Sequence, residues 1–556
     1  MLLLVPLWAV LSAILIGWGL LVLWILRAVA IRGALTAFQT LWLGYSALLG
    51  FLLLWAFVLP IDRGAIVVGA LPSMAGFWLE RTVVRRRVRA LRAAPRRAIV
   101  LGILVVIVAL VIGYVACDRV TAYDTNLYHS QVVQWNARYS AVPGLANLHL
   151  RFGYDNTIHL FAAFVDAFWQ GEAVHAMNGF LMAAVLVQWF TEIFAARTPR
   201  GRLRQTFCLL TLPFLLGKVW FTEIPSLSSD LPLALFSLVL VLELISLPRV
   251  TRERRTLPVL LVLQLGVVAT TTKLGGLGLL AAAGIAGLVV LRHGVSRRAR
   301  LIVFGVPAAL MLAWLVRNAI ISGWLIFPLF GRLPVAWAVP LEQGHQHLRW
   351  IESWARAPQQ APEAVLDHGF MHWFVPWFEG FRQSKEMVLL AVSGALLVWR
   401  FAMGPSRSAS RRVGEWAAIA ACVLGMLQWF YGAPDLRFGA FLFWTLPAVV
   451  FAPMVVNAMR DTTVRSLVIA LSLAICAWNG GFTPRLDEVV PKLIHRPIAP
   501  QRRELVGHWT SPTTYVTAPS TGDQCGDEPI PCTPDPATQQ LRDPNKLGAG
   551  YISGSN

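Results

Sequence analysis

Ionisable residues recur at one end of the apolar segments of this chain, where they could take part in chemistry. Charged side chains are costly within a membrane, so each is a functional candidate by default. A mixed set of acids and bases at one depth suits a site that binds a phosphate and activates a hydroxyl nucleophile. The members of this set are Asp118, Lys218, Glu223, Asp230, Lys273, Arg317, Asp435 and Arg437.

The densest polar segment is 118–129, which follows directly on an apolar span and contains two acids, two tyrosines and a histidine. A helix starting near Asp124 would place Asp124 and Tyr128 on one face, since they are four residues apart. Asp124 also suits the N-cap of such a helix, which is the structural alternative to a chemical role. A cap leaves the second acid, Asp118, and the neighbouring His129 unexplained. Segment 118–129 is therefore the first place to look for a catalytic carboxylate.

Apolar helices must position these residues, because the composition is that of a membrane protein. The 556-residue chain is 56% hydrophobic and 14% charged, with a mean hydropathy of +0.61, whereas a soluble domain carries roughly 25% charged residues. This excludes a cytosolic enzyme, a secreted domain and a nucleic-acid-binding protein. Since about 20 apolar residues cross a bilayer, the sequence predicts an all-α polytopic protein with about 13–14 transmembrane helices. The candidate spans are 2–26, 35–60, 64–79, 98–117, 173–195, 205–221, 230–247, 257–272, 274–292, 299–318, 386–402, 414–431, 437–458 and 464–480.

The charge distribution sets the orientation of these spans. The excess of 48 Lys and Arg over 29 Asp and Glu is concentrated in Arg-rich segments, the strongest of them at 81–97. Because cytoplasmic loops retain Lys and Arg, the ionisable set and the tail after residue 480 are predicted on the outer side. The N-terminus lies outside if 64–79 spans the membrane and inside if it does not. The other basic segments are 197–204, 249–255, 292–300 and 400–412, and the other outer segments are 118–172, 222–229, 319–385 and 432–436.

The chain divides into three parts by composition. Residues 1–97 hold additional N-terminal transmembrane helices and an Arg-rich cytoplasmic loop, residues 98–480 form the main transmembrane body, and residues 481–556 form a polar, Pro-rich outer tail. Cys525 and Cys532 in the tail fit a small disulfide loop, which requires an oxidising compartment. This requirement agrees with the outer placement that follows from the arginines alone.

Four short motifs follow one another along residues 98–480. The first is a membrane-edge acid, Asp118, followed by Asp124-x-x-x-Tyr128. The other three are Ser229-Asp230-Leu231-Pro232, Thr272-Lys273-Leu274-Gly275 and Pro434-Asp435-Leu436-Arg437-Phe438, the last followed by Leu446-Pro447. In this order they resemble motifs of the GT-C superfamily of polyprenyl-phosphate-sugar-dependent glycosyltransferases, which includes protein O-mannosyltransferases and lipid A aminoarabinose transferases. Segments 123–129 and 143–149 also resemble a bacterial branch of membrane proteins with GT-C-like bodies.

The resemblance implies a GT-C-like fold and an inverting glycosyltransferase in the bacterial inner (plasma) membrane, with its active site on the periplasmic or outer face. Such an enzyme moves a sugar from a polyprenyl-phosphate-linked donor to a glycan, lipid or protein acceptor. In the superfamily the acid of the first large outer loop is catalytic, which points to Asp124 first and Asp118 second. Superfamily members usually carry two adjacent acids where this chain has Asp124-Thr125, so a need for a divalent metal ion, Mg or Mn, stays open.

The chemistry of such a transfer gives each candidate a role. Arg binds phosphate through a planar fork and Lys binds it as a point charge, so Arg437, Lys273 and Arg317 are predicted to hold the leaving phosphate. Asp124 would act as the general base, a role typically worth about 10²–10⁴-fold in rate, and direct attack would invert the anomeric centre. Substrate contacts are assigned to Tyr128 and His129, and supporting roles to Glu223, Asp230 and Asp435.

Two other functions and several structural roles stay open. The basic outer set would also suit an oligosaccharide polymerase or ligase acting on a diphosphate-linked glycan, for which loop 319–385 could supply a groove. A transporter is the third hypothesis. Transporters often contain internal repeats and charged groups near the bilayer midplane, and the chain shows neither of these clearly. Lys218 and Arg317 could simply extend to the membrane interface, and Arg437 could pair with Asp435.

Overall fold

The computed structural model is predominantly helical over the residues that it describes. These are residues 2–29, 31, 33–194, 198–247, 255–292, 294–402, 409–479, 491–492, 497, 502–536 and 539–553. Parts of the predicted basic segments 197–204, 249–255, 292–300 and 400–412, and residues 481–490 of the tail, lie outside the described residues. The helices are α1 (Leu4–Ala28), α2 (Ala37–Trp55), α3 (Arg63–Leu79), α4 (Arg81–Arg92), α5 (Pro95–Ala116), α6 (Ser130–Arg138), α7 (Ile158–Asp166), α8 (Ala173–Phe194), α9 (Pro199–Leu215), α10 (Trp220–Glu223), α11 (Asp230–Leu244), α12 (Thr256–Thr272), α13 (Leu277–Leu291), α14 (Arg297–Ser322), α15 (Leu341–Arg356), α16 (Pro362–Leu366), α17 (Phe370–Phe381), α18 (Lys385–Ala402), α19 (Ala409–Gly432), α20 (Leu436–Val455) and α21 (Thr462–Asn479). The strands are β1 (Trp324–Ile326), β2 (Phe330–Arg332), β3 (Leu505–Ser511), β4 (Thr514–Pro519), β5 (Gln539–Leu541) and β6 (Tyr551–Ser553).

The predicted helical, multi-pass membrane fold is confirmed. Within the described part of the chain, nine helical segments are long and apolar enough to cross a membrane. They comprise α1, α2, α5, α8, α14, α19, α20, α21 and the apolar stretch Leu274–Leu291 that includes α13. The other predicted spans overlap α3, α9, α11, α12 and α18, and α9 begins and ends six residues before the predicted span 205–221. The α3 helix, with 17 residues, is about 25 Å long, slightly less than the ~30 Å of a bilayer core.

Close glycine contacts pack α1 against α2 and α3. Gly44 of α2 lies against the carbonyl oxygen of Leu15, and Gly76 of α3 lies against the carbonyl oxygen of Gly17. A Cβ atom at Gly44 or Gly76 would collide with this backbone, so small residues set the helix separation here. Side chains of α1 and α2 belong to the same hydrophobic core as the rest of the bundle. The N-terminal helices are therefore packed into the body.

The first three helices cross between two opposite faces of the molecule. We call the face that carries residues 117–172 the loop face and the face that carries α4 the arginine face. Trp8, near the start of α1, donates a hydrogen bond of 2.9 Å to Ala176 at the start of α8. At the other end of α1, Arg27 pairs with Glu80 at 2.5 Å, directly after α3. The chain thus begins on the loop face, the arrangement expected if 64–79 spans the membrane.

The acids near the arginine face are paired. Arg204 binds Glu192 at 2.7 Å and Glu243 at 2.9 Å, and Gln39 donates to the second oxygen of Glu243 at 2.6 Å. Each of these carboxylates therefore has a structural partner.

The C-terminal tail folds into a small module on the loop face. Strands β3 and β4 form an antiparallel hairpin, β5 pairs with β6, and a disulfide joins Cys525 to Cys532, the pairing that the sequence predicts. The Gly526 amide donates to the Asn126 carbonyl at 2.6 Å. Val516, Leu541 and Tyr551 share a hydrophobic cluster with residues of 127–152. The tail therefore covers the loop that contains the candidate catalytic acids.

Candidate active site

The candidate site forms around a π-helical turn on the loop face. In this turn, Thr125–His129, the Ser130 amide donates to the Thr125 carbonyl, and such turns frequently occur at functional sites. The turn replaces the regular helix that the sequence predicts. Asp124 and Tyr128 nevertheless both face Arg151, which lies 3.3 Å from the Asp124 carboxylate and 5.9 Å from the centre of the Tyr128 ring. The Asp124 side chain makes no capping hydrogen bond with the described backbone, so the structural alternative does not account for it.

A network of ion pairs, here called the ion cluster, joins Asp124 to three other parts of the chain. The Arg437 guanidinium binds Asp124 and, through Nε at 2.7 Å, Asp230. Lys273 binds the other carboxylate oxygen of Asp230, and Arg151 binds the other oxygen of Asp124. The Asp230 side chain is 3% exposed and that of Arg437 is 45% exposed. The cluster is therefore anchored in the interior and open to solvent at Arg437.

Helix ends hold three members of the ion cluster in place. Asp230 is the first residue of α11, and Lys273 follows α12 in an extended conformation. Arg437 lies in the first turn of α20, where its amide donates to the Asp435 carboxylate at 2.8 Å. Asp435 therefore caps the helix, while the guanidinium of Arg437 binds Asp124 and Asp230 instead. The cations of Lys273 and Arg437 both lie over the Phe438 ring, 3.9 and 5.2 Å from its centre.

Two histidines whose rings are in tilted contact lie next to the ion cluster. The rings of His129 and His159 are 4.7 Å apart, and His159 Nε2 lies 3.2 Å from the Leu227 carbonyl oxygen. Burial lowers the pKa of His129 well below its usual value and lowers that of His159 to about 4, so both are neutral at pH 7. Neither ring nitrogen of His129 finds a partner among the residues that the structure describes. This side chain therefore retains capacity to bind a ligand.

Glu223 contributes a further acid beside the cluster. It ends the short helix α10, and its Oε2 atom is buried without a hydrogen-bond partner in the described chain. Burial raises the pKa of Glu223, and the nearby charge of Asp230 raises it further. The Glu223 carboxyl group thus holds a proton more readily than an ordinary glutamate.

Two predicted site residues neither join the ion cluster nor lie beside it. Arg317, buried in the last turns of α14, binds Asp155 and donates to Asn136 at 2.6 Å. Asp118 is paired with Lys492 of the tail at 3.0 Å. Arg317 thus pairs with a carboxylate in the adjacent loop, and Asp118 helps to attach the tail.

Arg151 and His159 belong to the site although the sequence did not single them out. Both lie in the predicted outer loop 118–172, and this location is the feature of the sequence that could have identified them as site residues. Arg151 reaches Asp124 across 27 residues of chain, a separation that no local periodicity reveals. His159 lies in α7, where an isolated histidine on an apolar helix gives no indication of its neighbours.

The donor set does not fit a metal ion. Over the described ranges, no group of three or more His, Cys, Asp and Glu side chains is placed to hold one. Asp124 and Asp230 are already bound by Arg and Lys side chains through both of their carboxylate oxygens. We therefore derive no step through the divalent ion that the resemblance left open.

The C-terminal module covers the π-helical turn from outside. Tyr123 donates to Asp523, and Gln131 donates to the Glu528 carbonyl at 2.6 Å. Gln134, on α6, donates to the Asp527 carboxylate at 3.0 Å. These bonds hold the disulfide loop against the segment that positions Asp124.

A protein-family model described as "Domain of unknown function (DUF8201)" matches residues 1–444. The chain belongs to this family. The match includes the N-terminal helices and every member of the ion cluster, so in the DUF8201 family model these lie in one unit; residues after 444 lie outside the match. No curated protein and no solved structure matches the chain.

Proposed function

We propose that the protein is an inverting glycosyltransferase that takes a sugar from a polyprenyl-phosphate-linked donor. The observation that supports this proposal is the ion cluster, in which two carboxylates and three cations meet at the end of membrane helices. Arg437, Lys273 and Arg151 outnumber the two aspartates of the cluster by one cation. One more anionic group would balance the positive charge of the ion cluster. Arg437, whose side chain is exposed, is where such a group could bind.

The donor phosphate would bind at Arg437 in place of Asp124. The Arg fork suits two phosphate oxygens, while Asp230 keeps hold of Nε at 2.7 Å. Displacement from Arg437 leaves Asp124 with Arg151 alone and raises its ability to accept a proton. Lys273 adds a second positive charge from the Asp230 side. Donor binding and base activation are therefore coupled through one guanidinium.

The transfer itself is a single displacement. The acceptor oxygen forms a bond to the anomeric carbon as the bond from that carbon to the phosphate oxygen breaks. The acceptor proton passes to Asp124, and the electron pair of the broken bond leaves with the polyprenyl phosphate. Arg437 and Lys273 stabilise the charge that grows on the phosphate. Attack from the side opposite the leaving group inverts the anomeric configuration.

The acceptor and the setting follow from the same proposal. The acceptor is a glycan, lipid or protein on the loop face, and the loop face is the periplasmic or outer side of a bacterial inner membrane. The Arg-rich α4, on the opposite face, supports this orientation because cytoplasmic segments retain arginine. Membrane lipid would surround the isoprenoid chain of the donor.

The test is release of undecaprenyl phosphate by the purified protein in detergent. Undecaprenyl-phosphate sugars are supplied with a mixture of acceptors, and wild type is compared with Asp124→Asn and Asp118→Asn. We expect Asp124→Asn to lose about 10²–10⁴-fold in rate. Asp118→Asn is the matched control, because Asp118 lies in the same segment but pairs with Lys492, and its rate should stay within a few fold. Equal rates for Asp124→Asn and wild type, or no release with any donor, would contradict the proposal.

A further inference from the structure

A polar cavity lies between the C-terminal module and the loop that it covers. Its volume is about 260 Å³, slightly below the roughly 300–1,000 Å³ of typical small-molecule sites. One face of α6, the turn between α7 and α8, and residues 527–529 of the disulfide loop form its walls. The tail thus contributes Asp527 and Pro529 to a cavity whose other walls belong to the membrane body and its outer loop.

The cavity is lined by hydrogen-bond donors and acceptors, and these include negatively charged, positively charged and neutral side chains. Asp166 and Asp527 supply carboxylates, Arg138 supplies a guanidinium, and Gln134 and Gln170 supply amides. Val133, Ala137, Leu227 and Pro529 provide apolar surface in the same cavity. A free anion would meet two carboxylates, and a cation would meet Arg138. Hydroxyl groups suit this lining because each is both donor and acceptor.

The polar groups of the cavity are incompletely satisfied. Burial raises the pKa of Asp166 to about 6 and also raises that of Asp527, as expected for carboxylates with reduced hydration. The Oε1 atom of Gln134 is buried and lacks a partner within the described part of the molecule. Asp166 accepts the Gly171 amide at 2.8 Å. Ligand hydroxyls would supply the remaining hydrogen bonds.

We infer that this cavity binds one sugar residue, held between α6 and the disulfide loop of the C-terminal module. The cavity is connected to the candidate active site through Leu227, which lines it. The Leu227 amide donates to Thr125 in the π-helical turn, and the Leu227 carbonyl oxygen lies 3.2 Å from His159. The role of the cavity as an acceptor subsite rests on the proposed function. Its ability to bind a saccharide can be tested independently of that function.

The test measures binding of methyl α-D-glucoside, methyl α-D-mannoside and methyl α-D-galactoside to the full chain in detergent, by saturation-transfer NMR and without lipid donor. We expect saturable binding of at least one glycoside. Asp527→Asn should weaken it by about tenfold or more, since a charged acceptor is lost, while its remaining oxygen can still accept from Gln134. Ala137→Phe, which fills the cavity, should abolish binding. Asp367→Asn is the control, because its partner Arg349 lies in the exposed loop helices.

Absence of saturable binding for all three glycosides would overturn the inference. So would equal binding by wild type, Asp527→Asn and Ala137→Phe, or displacement of the glycoside by inorganic phosphate at equal concentration. The outcome is separable from the proposed function, because Asp124→Asn should retain glycoside binding while losing transfer. If the protein transfers sugar but does not bind the glycosides, the inference that the cavity binds a sugar is wrong, while the proposed function is unaffected.

Discussion

At the residue scale, Arg437 connects the parts of the site. Its guanidinium binds a half-buried acid, Asp124, on one side and a buried acid, Asp230, on the other. One planar group can do this because its donors point in fixed, separate directions. The site is therefore sensitive to the shape of this side chain as well as to its charge.

Arg437→Lys is expected to raise the KM for the lipid-linked donor by about tenfold or more. A lysine keeps the charge but cannot bind two carboxylates and a phosphate through a planar fork. KM is measured by the release of undecaprenyl phosphate, with Arg349→Lys in the exposed loop helices as the control. An unchanged KM would show that Arg437 does not bind the donor.

Asp230→Asn should destabilise the protein by about 1–3 kcal/mol. The substitution keeps the size of the side chain but removes the buried negative charge that both Lys273 and Arg437 bind. The cost stays below that of a fully buried pair because both cations are partly exposed and water screens their charge. Unfolding in detergent measures the change, and the exposed control Asp367→Asn should stay within about 0.5 kcal/mol. Equal stability of the two variants would show that the ion pairs of Asp230 contribute little to the free energy of unfolding.

The members of the ion cluster that lie in recognisable motifs could be predicted from the sequence. The pattern of spans predicts Asp230, Lys273 and Arg437 at their outer ends and Asp124 in the outer segment that follows one of them, and the structure brings the four together. Arg317 met the same expectation but pairs with Asp155, which adopts a left-handed backbone conformation (φ 45°). The sequence offers no signal for such a turn at an aspartate. Long-range partners such as Arg151 are set by packing.

At the element scale, the π-helical turn and the disulfide loop act together. The turn places Asp124 beside Arg151, and the Gly526 amide binds the Asn126 carbonyl within it. Hydropathy locates the helices well but cannot show this change of helix type, which depends on contacts outside the segment. The strands of the tail were also not predicted, since its composition indicated only a polar outer segment.

Removing the disulfide by Cys525→Ser and Cys532→Ser together should lower the stability of the C-terminal module by about 2.5 kcal/mol. This is the loop-closure contribution for cysteines seven residues apart, as the chain-entropy relation gives it. Limited proteolysis of the tail measures the change, and faster cleavage after residue 500 is expected. A tail as resistant as that of wild type would show that its contacts with 123–134 suffice.

At the scale of the whole molecule, the start of α1 and the C-terminal module lie on the loop face. Trp8 contacts the start of α8, and the tail covers the loop before it. A reporter that is active only outside the cytoplasm, fused before α1 or after residue 556, should therefore be active in both cases. The same reporter inserted between α3 and α4 should be silent. Activity at that insertion, or silence at the N-terminus, would reverse the assigned topology.

Stability is expected to fall as the pH is lowered from about 6.5 to 4. Burial lowers the pKa of His149 to about 3 and those of His159 and His347 to about 4. A histidine with a lowered folded pKa contributes stability above its unfolded value of about 6.5, and this is lost as the pH falls towards the folded value. Asp166, with its raised pKa, acts in the opposite direction between about pH 4 and 6.

The variant His347→Gln isolates this contribution. It can keep the hydrogen bond to Tyr154, which is 2.7 Å long, and it removes one titrating group. Unfolding temperatures in detergent across this pH range should decline less steeply for the variant. An identical decline would show that His347 does not contribute to the pH dependence.

We propose that Asp124 accepts the acceptor proton in a glycosyl transfer. The most direct measurement is a single-turnover assay of undecaprenyl phosphate release and product configuration, with wild type and Asp124→Asn side by side. We expect release with an inverted anomeric centre by wild type, and a loss of about 10²–10⁴-fold in the variant at unchanged thermal stability. Retention of configuration, or equal release by the two proteins, would contradict it.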